Sequence, residues 1–182
     1  MPTHNMEIVA RCRCGKCELA LKGKPIVSAT CYCSSCQKAA LKFEGLSGAE
    51  PVRQTDGGTP YVLQRKDRVH FGKGTEFLRE YRLSNGAPNR RVVATCCNSP
   101  MFLEFKGGHW LSVYRDRLKP GERPANEMRT MTRDRPVGVE FNDMLPSYNT
   151  HSVRFMWRLF AAWAAMGFRS PKVDHVTGVL DD

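Results

Sequence analysis

The stretch that decides the fold is residues 31–36, which read CYCSSC. It places Cys31, Cys33 and Cys36 within six residues, at a predicted junction between a strand and a helix. This spacing is typical of a metal site, and the amides at the start of the helix would favour thiolates there. Three protein ligands leave the fourth position of a tetrahedral zinc open, as a catalytic zinc requires. A further ligand from elsewhere would instead make the site structural.

An earlier pair of cysteines, Cys12 and Cys14, is a second candidate for metal binding. Gly15 lets the backbone turn after the pair, and the neighbouring Arg11 and Arg13 favour the thiolate form. A Cys-x-Cys pair is a poor disulfide and a good chelate. Because two clusters that are distant in sequence often meet at one metal, a later cysteine is expected to join this pair.

The later cysteines are Cys96 and Cys97, which are adjacent and lie between two predicted strands. Alternation along a strand allows only one of two neighbours to face a given side. We therefore predict that one of them is a ligand and that the other packs nearby. Cys17 alternates with Leu19 and Leu21, which favours a place in the core.

The chain has eight cysteines in 182 residues, and whether they form disulfides or bind metal depends on the cellular compartment. The first ten residues lack the basic start and apolar run of a secretory signal. No window reaches the roughly 20 apolar residues of a membrane span, so we expect a cytoplasmic protein. Thiols stay reduced there, which favours metal over disulfides. A redox role for Cys33 and Cys36 is disfavoured, because Cys31 lies beside them and the βαβ pattern is missing.

Alternating apolar residues and frequent Gly and Asn turns predict a mainly β, antiparallel fold. The predicted strands are residues 17–21, 25–31, 61–64, 68–71, 76–83, 91–95, 101–105 and 110–114. The first two would form a hairpin between the cysteine clusters, and a short helix with a serine cap would follow over residues 34–41. The predicted organisation is a β domain over 1–115, a wrapping arm or linker over 116–149, and a C-terminal helix and tail over 150–182.

The C-terminal helix is predicted over residues 150–168, because its apolar side chains recur at helical spacing. They are Val153, Met156, Leu159, Phe160, Trp163 and Met166. Arg158 interrupts the apolar run well short of a transmembrane length. The amphipathic pattern favours packing on its own domain or on a second copy in a homodimer, with contact to a membrane surface as the alternative.

The cysteine motifs resemble those of the glutathione-dependent formaldehyde-activating enzyme (GFA) family, whose domain is shared with centromere protein V. The family pattern is Cys-x-Cys-Gly, then Cys-x-Cys-x-x-Cys, then Cys-x-x-Cys-Gly-(Ser/Thr)-Pro-Leu. Residues 12–15 and 31–37 match the first two motifs without gaps. In the third, Cys97 and Asn98 align with the second cysteine and the glycine, but Ala94 replaces the first cysteine. This form is similar to that of a bacterial branch of the family distinct from its named enzyme.

The resemblance covers roughly residues 8–115 and implies a β-tent fold of antiparallel sheets. It implies one zinc on Cys12, Cys14 and the late cysteines, with Cys96, Cys17 or a water as the fourth ligand. A second zinc would lie on residues 31–36, so the chain would bind one or two zinc ions. Family members are described as carbon–sulfur lyases that act on glutathione adducts of aldehydes.

Two functions follow as alternatives. The first is an enzyme that uses the three-cysteine site, and the net charge of +10 suits a small anionic thiol such as glutathione. The second is a zinc-stabilised binding module for protein or nucleic acid. The basic runs at 65–68 and 90–91 are short and lack interleaved aromatics, which argues against nucleic acid. His70 and His109 favour surface or packing roles, so the sequence predicts no general base.

Overall fold

The chain folds into two β-sheets and two α-helices, which a computed structural model describes over residues 7–180. The strands are β1 Glu7–Arg11, β2 Glu18–Lys22, β3 Val27–Cys31, β4 Thr59–Arg65, β5 Val69–Phe71, β6 Leu78–Tyr81, β7 Asn89–Ala94, β8 Ser99–Phe105, β9 Trp110–Tyr114 and β10 Met128–Thr130. The helices are α1 Ser34–Glu44 and α2 Val153–Ala164. The predicted mainly β fold, with a short helix after residues 31–36 and a C-terminal helix, is confirmed.

The smaller sheet has the strand order β1-β2-β5 and is antiparallel throughout. Strand β1 was not among the sequence predictions, because its five residues show little alternation and only Ala10 is fully buried. The predicted hairpin between β2 and β3 is wrong. Strand β2 pairs with β1 and β5, whereas β3 pairs with β4 and β10 in the other sheet.

The larger sheet has seven strands in the order β10-β3-β4-β9-β8-β7-β6. Its pairings are antiparallel except at one edge, where β10 runs parallel to β3 with Met128 opposite Ala29 and Thr130 opposite Cys31. Strand β10 lies inside the segment for which the sequence predicts a wrapping arm or linker. The arm therefore contributes an edge strand beside the strand that ends in the first cysteine of residues 31–36.

Each helix begins at a side-chain cap. The cap of α1 is Cys33 rather than the predicted serine, since the Cys36 amide donates to Cys33 Sγ at 3.4 Å. The cap of α2 is Ser152, whose hydroxyl accepts a hydrogen bond from the Phe155 amide at 3.1 Å. Helix α2 is shorter than the predicted 150–168, because the chain turns after Ala164 and becomes left-handed at Gly167, with φ of 63°. Within residues 7–180, no helix is long and apolar enough to cross a membrane.

The larger sheet is the middle of three layers. Alternation along β4 sends Tyr61 and Leu63 to a core shared with both helices, and Val62 to a core shared with the smaller sheet. The cysteines of residues 31–36 lie with the helices, whereas Cys12 and Cys96 lie with the smaller sheet. The two cysteine clusters are therefore on opposite faces of the larger sheet.

Candidate metal centres

The first cluster contains four cysteines, Cys12, Cys14, Cys96 and Cys97, whose sulfurs all lie within 4.8 Å of one another. The Cys12 sulfur is 3.6 Å from that of Cys14 and 3.7 Å from that of Cys96, and the Cys14 and Cys96 sulfurs are 3.5 Å apart. Zinc–sulfur bonds of about 2.3 Å place tetrahedral ligands about 3.8 Å apart. The donor set and its spacing therefore fit a tetrahedral metal ion.

Both late cysteines reach this cluster, although alternation along a strand predicted that only one would. The reason is that residues 95–98 form a turn between β7 and β8, so strand alternation does not apply to them. Asn98 has a left-handed φ of 52° at the position where the family motif has glycine. Ala94, at the position of the missing family cysteine, is the last residue of β7, and Cys96 contributes the fourth sulfur of the cluster.

Hydrogen bonds fix this turn against the first cysteine loop. The Arg13 amide donates to the Ser99 hydroxyl at 3.0 Å, and that hydroxyl lies 3.1 Å from the Cys97 sulfur. Burial alone would raise the pKa of Cys97, but hydrogen bonds from Ser99 and from the Cys14 amide lower it to about 6. These hydrogen bonds therefore favour the thiolate at Cys97, which is the form that binds metal.

Cys17 lies in the core, as the sequence predicts, and is not one of the four clustered sulfurs. It is fully buried, and its backbone amide donates to Cys12 Sγ at 3.2 Å. Burial raises the pKa of the Cys17 thiol to about 12. Its side chain is therefore a neutral packing group, while its backbone helps to hold a sulfur of the cluster.

The second cluster contains Cys31, Cys33 and Cys36, with all three sulfurs within 4.8 Å of one another. Cys31 ends β3, Cys33 caps α1, and Cys36 lies in the first turn of that helix. Hydrogen bonds from the Cys31 and Cys36 thiols lower the pKa of Cys33 to about 2. Within residues 7–180, no histidine, carboxylate or fourth cysteine completes this group.

The three cysteines line a cavity of about 470 Å³. One wall is the helix-covered face of the larger sheet, and the opposite wall includes Phe155, Met156 and Leu159 of α2. The residues after β10 also contribute, through Met131, Arg133 and Asp134. The cavity thus joins the three-cysteine cluster to parts of the chain beyond residue 115.

Arg91 places a buried positive charge at this cavity. Its side chain is on β7, the residue is 2% exposed, and its Nη2 donates to the Ser35 carbonyl at 3.1 Å. Its Nε has no hydrogen-bond partner among residues 7–180, and no carboxylate in that range forms an ion pair with it. Because a buried cation without a counter-charge is costly, Arg91 favours negative charge on the neighbouring cysteines or on a bound ligand.

Sequence reasoning missed His151, which also lines the cavity. The residue directly precedes the cap of α2, and its ring stacks on Phe155 at a centroid distance of 4.8 Å. Partial burial against the protein lowers the pKa of His151, although the residue as a whole is exposed and the charge of Cys33 acts in the opposite direction. By contrast, His70 is exposed on β5, and His109 is buried beside Trp163 outside this cavity.

The fold is mainly β, and its two cysteine clusters could each hold a metal ion. A family model described as "Glutathione-dependent formaldehyde-activating enzyme" matches residues 7–115, and the chain belongs to this GFA family. No curated protein matches the chain. Among solved structures, the crystal structure of a Rhodobacter sphaeroides protein is similar, with 12% identity and a TM-score of 0.41. That match covers 79% of this chain and 99% of the other.

Proposed function

We propose that the chain is a cytoplasmic zinc enzyme that makes and breaks the carbon–sulfur bond of thiol adducts of aldehydes, with glutathione as the candidate thiol. The observation that carries this proposal is the cavity of about 470 Å³ beside Cys31, Cys33 and Cys36. Three sulfurs without a fourth protein ligand suit a metal that must accept a substrate atom. The buried charge of Arg91 and the net charge of +10 suit an anionic thiol.

The two clusters would hold metal in different ways. Zinc bound by Cys31, Cys33 and Cys36 would act as a Lewis acid that stabilises a substrate thiolate in the cavity. Zinc bound by the four-cysteine cluster would have all its positions filled by protein and would stabilise the junction of the two sheets. The proposed stoichiometry is two zinc ions per chain.

The chain's own residues supply the proton transfer. In a hydroxyalkyl thioether, His151 accepts the hydroxyl proton while the carbon–oxygen bond becomes a carbonyl. The carbon–sulfur bond breaks at the same time, and its electron pair leaves with the sulfur as a thiolate. In the reverse direction the thiolate attacks the carbonyl carbon, and His151 returns the proton to the oxygen. Arg91 offsets the negative charge that the thiolate carries.

Two measurements test the proposal. The first is the zinc content of the purified protein. The second is the rate at which glutathione and formaldehyde interconvert with their adduct, measured at equilibrium by NMR exchange spectroscopy. Wild-type protein should contain two zinc ions and accelerate the exchange. The variant Cys36→Ser should lose one zinc and the acceleration but keep a cooperative unfolding transition. The matched variant Cys14→Ser should lose the other zinc and melt at a lower temperature.

Two results would favour the binding module instead. One is that zinc-loaded wild-type protein leaves the exchange rate the same as in a solution without protein. The other is a flat thermal-shift response to glutathione, since a ligand that binds the native state must raise its melting temperature.

A further inference from the structure

Helix α2 has two apolar faces, and only one of them packs on the protein. Phe155 and Leu159 are buried against the core beside the larger sheet, with 6% and 5% of their surface exposed. On the other side, Val153, Met156, Trp157 and Phe160 are 87%, 52%, 64% and 47% exposed. These four positions have the spacing i, i+3, i+4, i+7, so they form one continuous stripe along the helix. We call them the exposed stripe.

The exposed stripe extends beyond the helix at its C-terminal end. The Phe168 ring lies 6.1 Å from that of Phe160 between centroids, and Phe168 is itself 56% exposed. Along the side of the helix, an apolar groove of about 380 Å³ is lined by Phe105, Trp110, Phe160 and others. A contiguous apolar surface of this kind is unusual on a monomer and marks an interaction site.

The charged side chains of the segment that carries the exposed stripe all have the same sign. Residues 150–172 contain Arg154, Arg158, Arg169 and Lys172 and no aspartate or glutamate. Arg158 forms an ion pair with Glu127, whereas Arg154, one residue after the start of the stripe, is exposed and forms no ion pair with residues 7–180. An apolar stripe bordered by unpaired cations matches a surface that is apolar inside and negatively charged outside.

We propose that the exposed stripe of α2 docks the protein on an anionic membrane surface. The helix lies in the interface, with Trp157 and Phe160 inserted among the acyl chains and Arg154 at the lipid phosphates. Its twelve residues are too few to span a bilayer, which agrees with a position along the surface. A second copy packed through the same stripe would offer Arg154 no counter-charge from residues 150–172, whereas an anionic lipid surface does, so the charges favour lipid.

The docking also bears on the cavity beside Cys31, Cys33 and Cys36. Met156 belongs to the exposed stripe and also lines that cavity. The buried residues Phe155 and Leu159 of the same helix line the cavity as well. The same helix thus contacts the lipid on one side and closes the cavity on the other.

Co-sedimentation with vesicles tests the proposal, using phosphatidylcholine alone or mixed with anionic phosphatidylglycerol. We expect binding to the mixed vesicles, weaker binding to phosphatidylcholine, and a fall with rising salt. Trp157→Glu should abolish sedimentation, whereas Leu41→Glu, which changes an exposed apolar residue of α1, should leave it unchanged. Arg154→Gln should weaken binding to mixed vesicles by about fivefold.

Two results would overturn the proposal. The first is that the wild-type protein does not sediment with the mixed vesicles at low salt. The second is that light scattering finds a wild-type dimer that Trp157→Glu converts into a monomer. That outcome would assign the stripe to a second copy of the chain.

Discussion

Individual side chains decide how the two clusters differ. In the four-cysteine cluster, the turn at 95–98, in which Asn98 is left-handed, brings the sulfurs of two adjacent cysteines into one group. In the three-cysteine cluster, a cysteine replaces the usual serine as the cap of α1, so one sulfur serves both the helix and the site. The first arrangement groups four sulfurs, enough to fill the coordination of a tetrahedral metal, and the second groups three sulfurs beside a cavity.

Cys96→Ala is predicted to remove the fourth ligand of the four-cysteine cluster. The protein should retain one zinc instead of two, and its melting temperature should fall by about 10 °C or more, because binding energy at a structural site contributes to folding. Zinc analysis and calorimetry measure both effects. Cys17→Ala is the control, since it removes a buried thiol outside the cluster and should keep both zinc ions.

His151→Gln is predicted to slow the proposed exchange reaction by about 100-fold or more, the usual contribution of general acid–base catalysis. Because the pKa of His151 is lowered, its neutral form persists to a lower pH than that of an ordinary histidine. The wild-type rate in the cleavage direction should therefore be constant at neutral pH and fall only below about pH 6.5. Unchanged zinc content in His151→Gln would show that the slower rate does not come from loss of the metal. If the variant kept the pH profile of the wild type, the proposed role of His151 would be contradicted.

At the scale of elements, the tight contact between β3 and the loop before β4 holds Cys31 in place. A Cβ added at Gly58 would lie 2.5 Å from Thr30 Cγ2 and 2.7 Å from Tyr32 Cζ. Tyr32 cannot move easily, because it is fully buried and its hydroxyl donates to Asp56 at 2.6 Å. Only glycine at position 58 therefore lets the loop pack this closely against Thr30 and Tyr32, the two residues that flank Cys31.

Gly58→Ala is predicted to destabilise the protein by about 1–3 kcal/mol, the usual cost of overpacking in a buried region. Gly121→Ala is the matched control, since a Cβ there meets no atom within 4 Å and its φ is not left-handed. Urea unfolding should show a clear loss for the first variant and a neutral or slightly stabilising effect for the second. Equal stabilities of the two variants would contradict the proposed packing.

The elements also show how far the sequence could be interpreted. Strands with several alternating apolar residues were predicted well, and β9 was predicted over the same residues that the structure gives, Trp110–Tyr114. Strands β1 and β10 were missed, because a five-residue strand with one fully buried residue and a three-residue edge strand have almost no periodicity. The pairing of β2 was wrong because local alternation does not reveal which distant strand is the neighbour.

The candidate site was predictable to a similar extent. Spacing pointed to residues 31–36 and to the pair Cys12 and Cys14, and the structure groups these cysteines. Strand alternation gave the wrong expectation for Cys96 and Cys97, because the turn at 95–98 brings both sulfurs to the cluster. His151 could not be found, since it lies more than a hundred residues after Cys36 and no local pattern connects them. The only signal was the serine cap that begins α2 directly after it.

At the scale of the whole molecule, the larger sheet separates the two clusters into different cores. Effects on one cluster should therefore add to effects on the other, because distant sites without shared partners are energetically independent. In the double variant with Cys36→Ser and Cys96→Ala, the unfolding free energy should fall by the sum of the decreases in the two single variants, within about 0.5 kcal/mol. Urea unfolding of the four proteins measures this, and a larger discrepancy would show that the clusters are coupled through the sheet.

The parallel pairing of β10 with β3 also has a consequence for biosynthesis. Cys31 lies opposite Thr130, so these neighbours leave the ribosome 99 positions apart. While the intervening chain is being made, the three cysteines have neither their edge strand nor the helix that later covers the cavity. If the site takes the proposed metal, delivery is expected to be easiest during translation, when the thiols are accessible, and slower once the last third of the chain has folded over them.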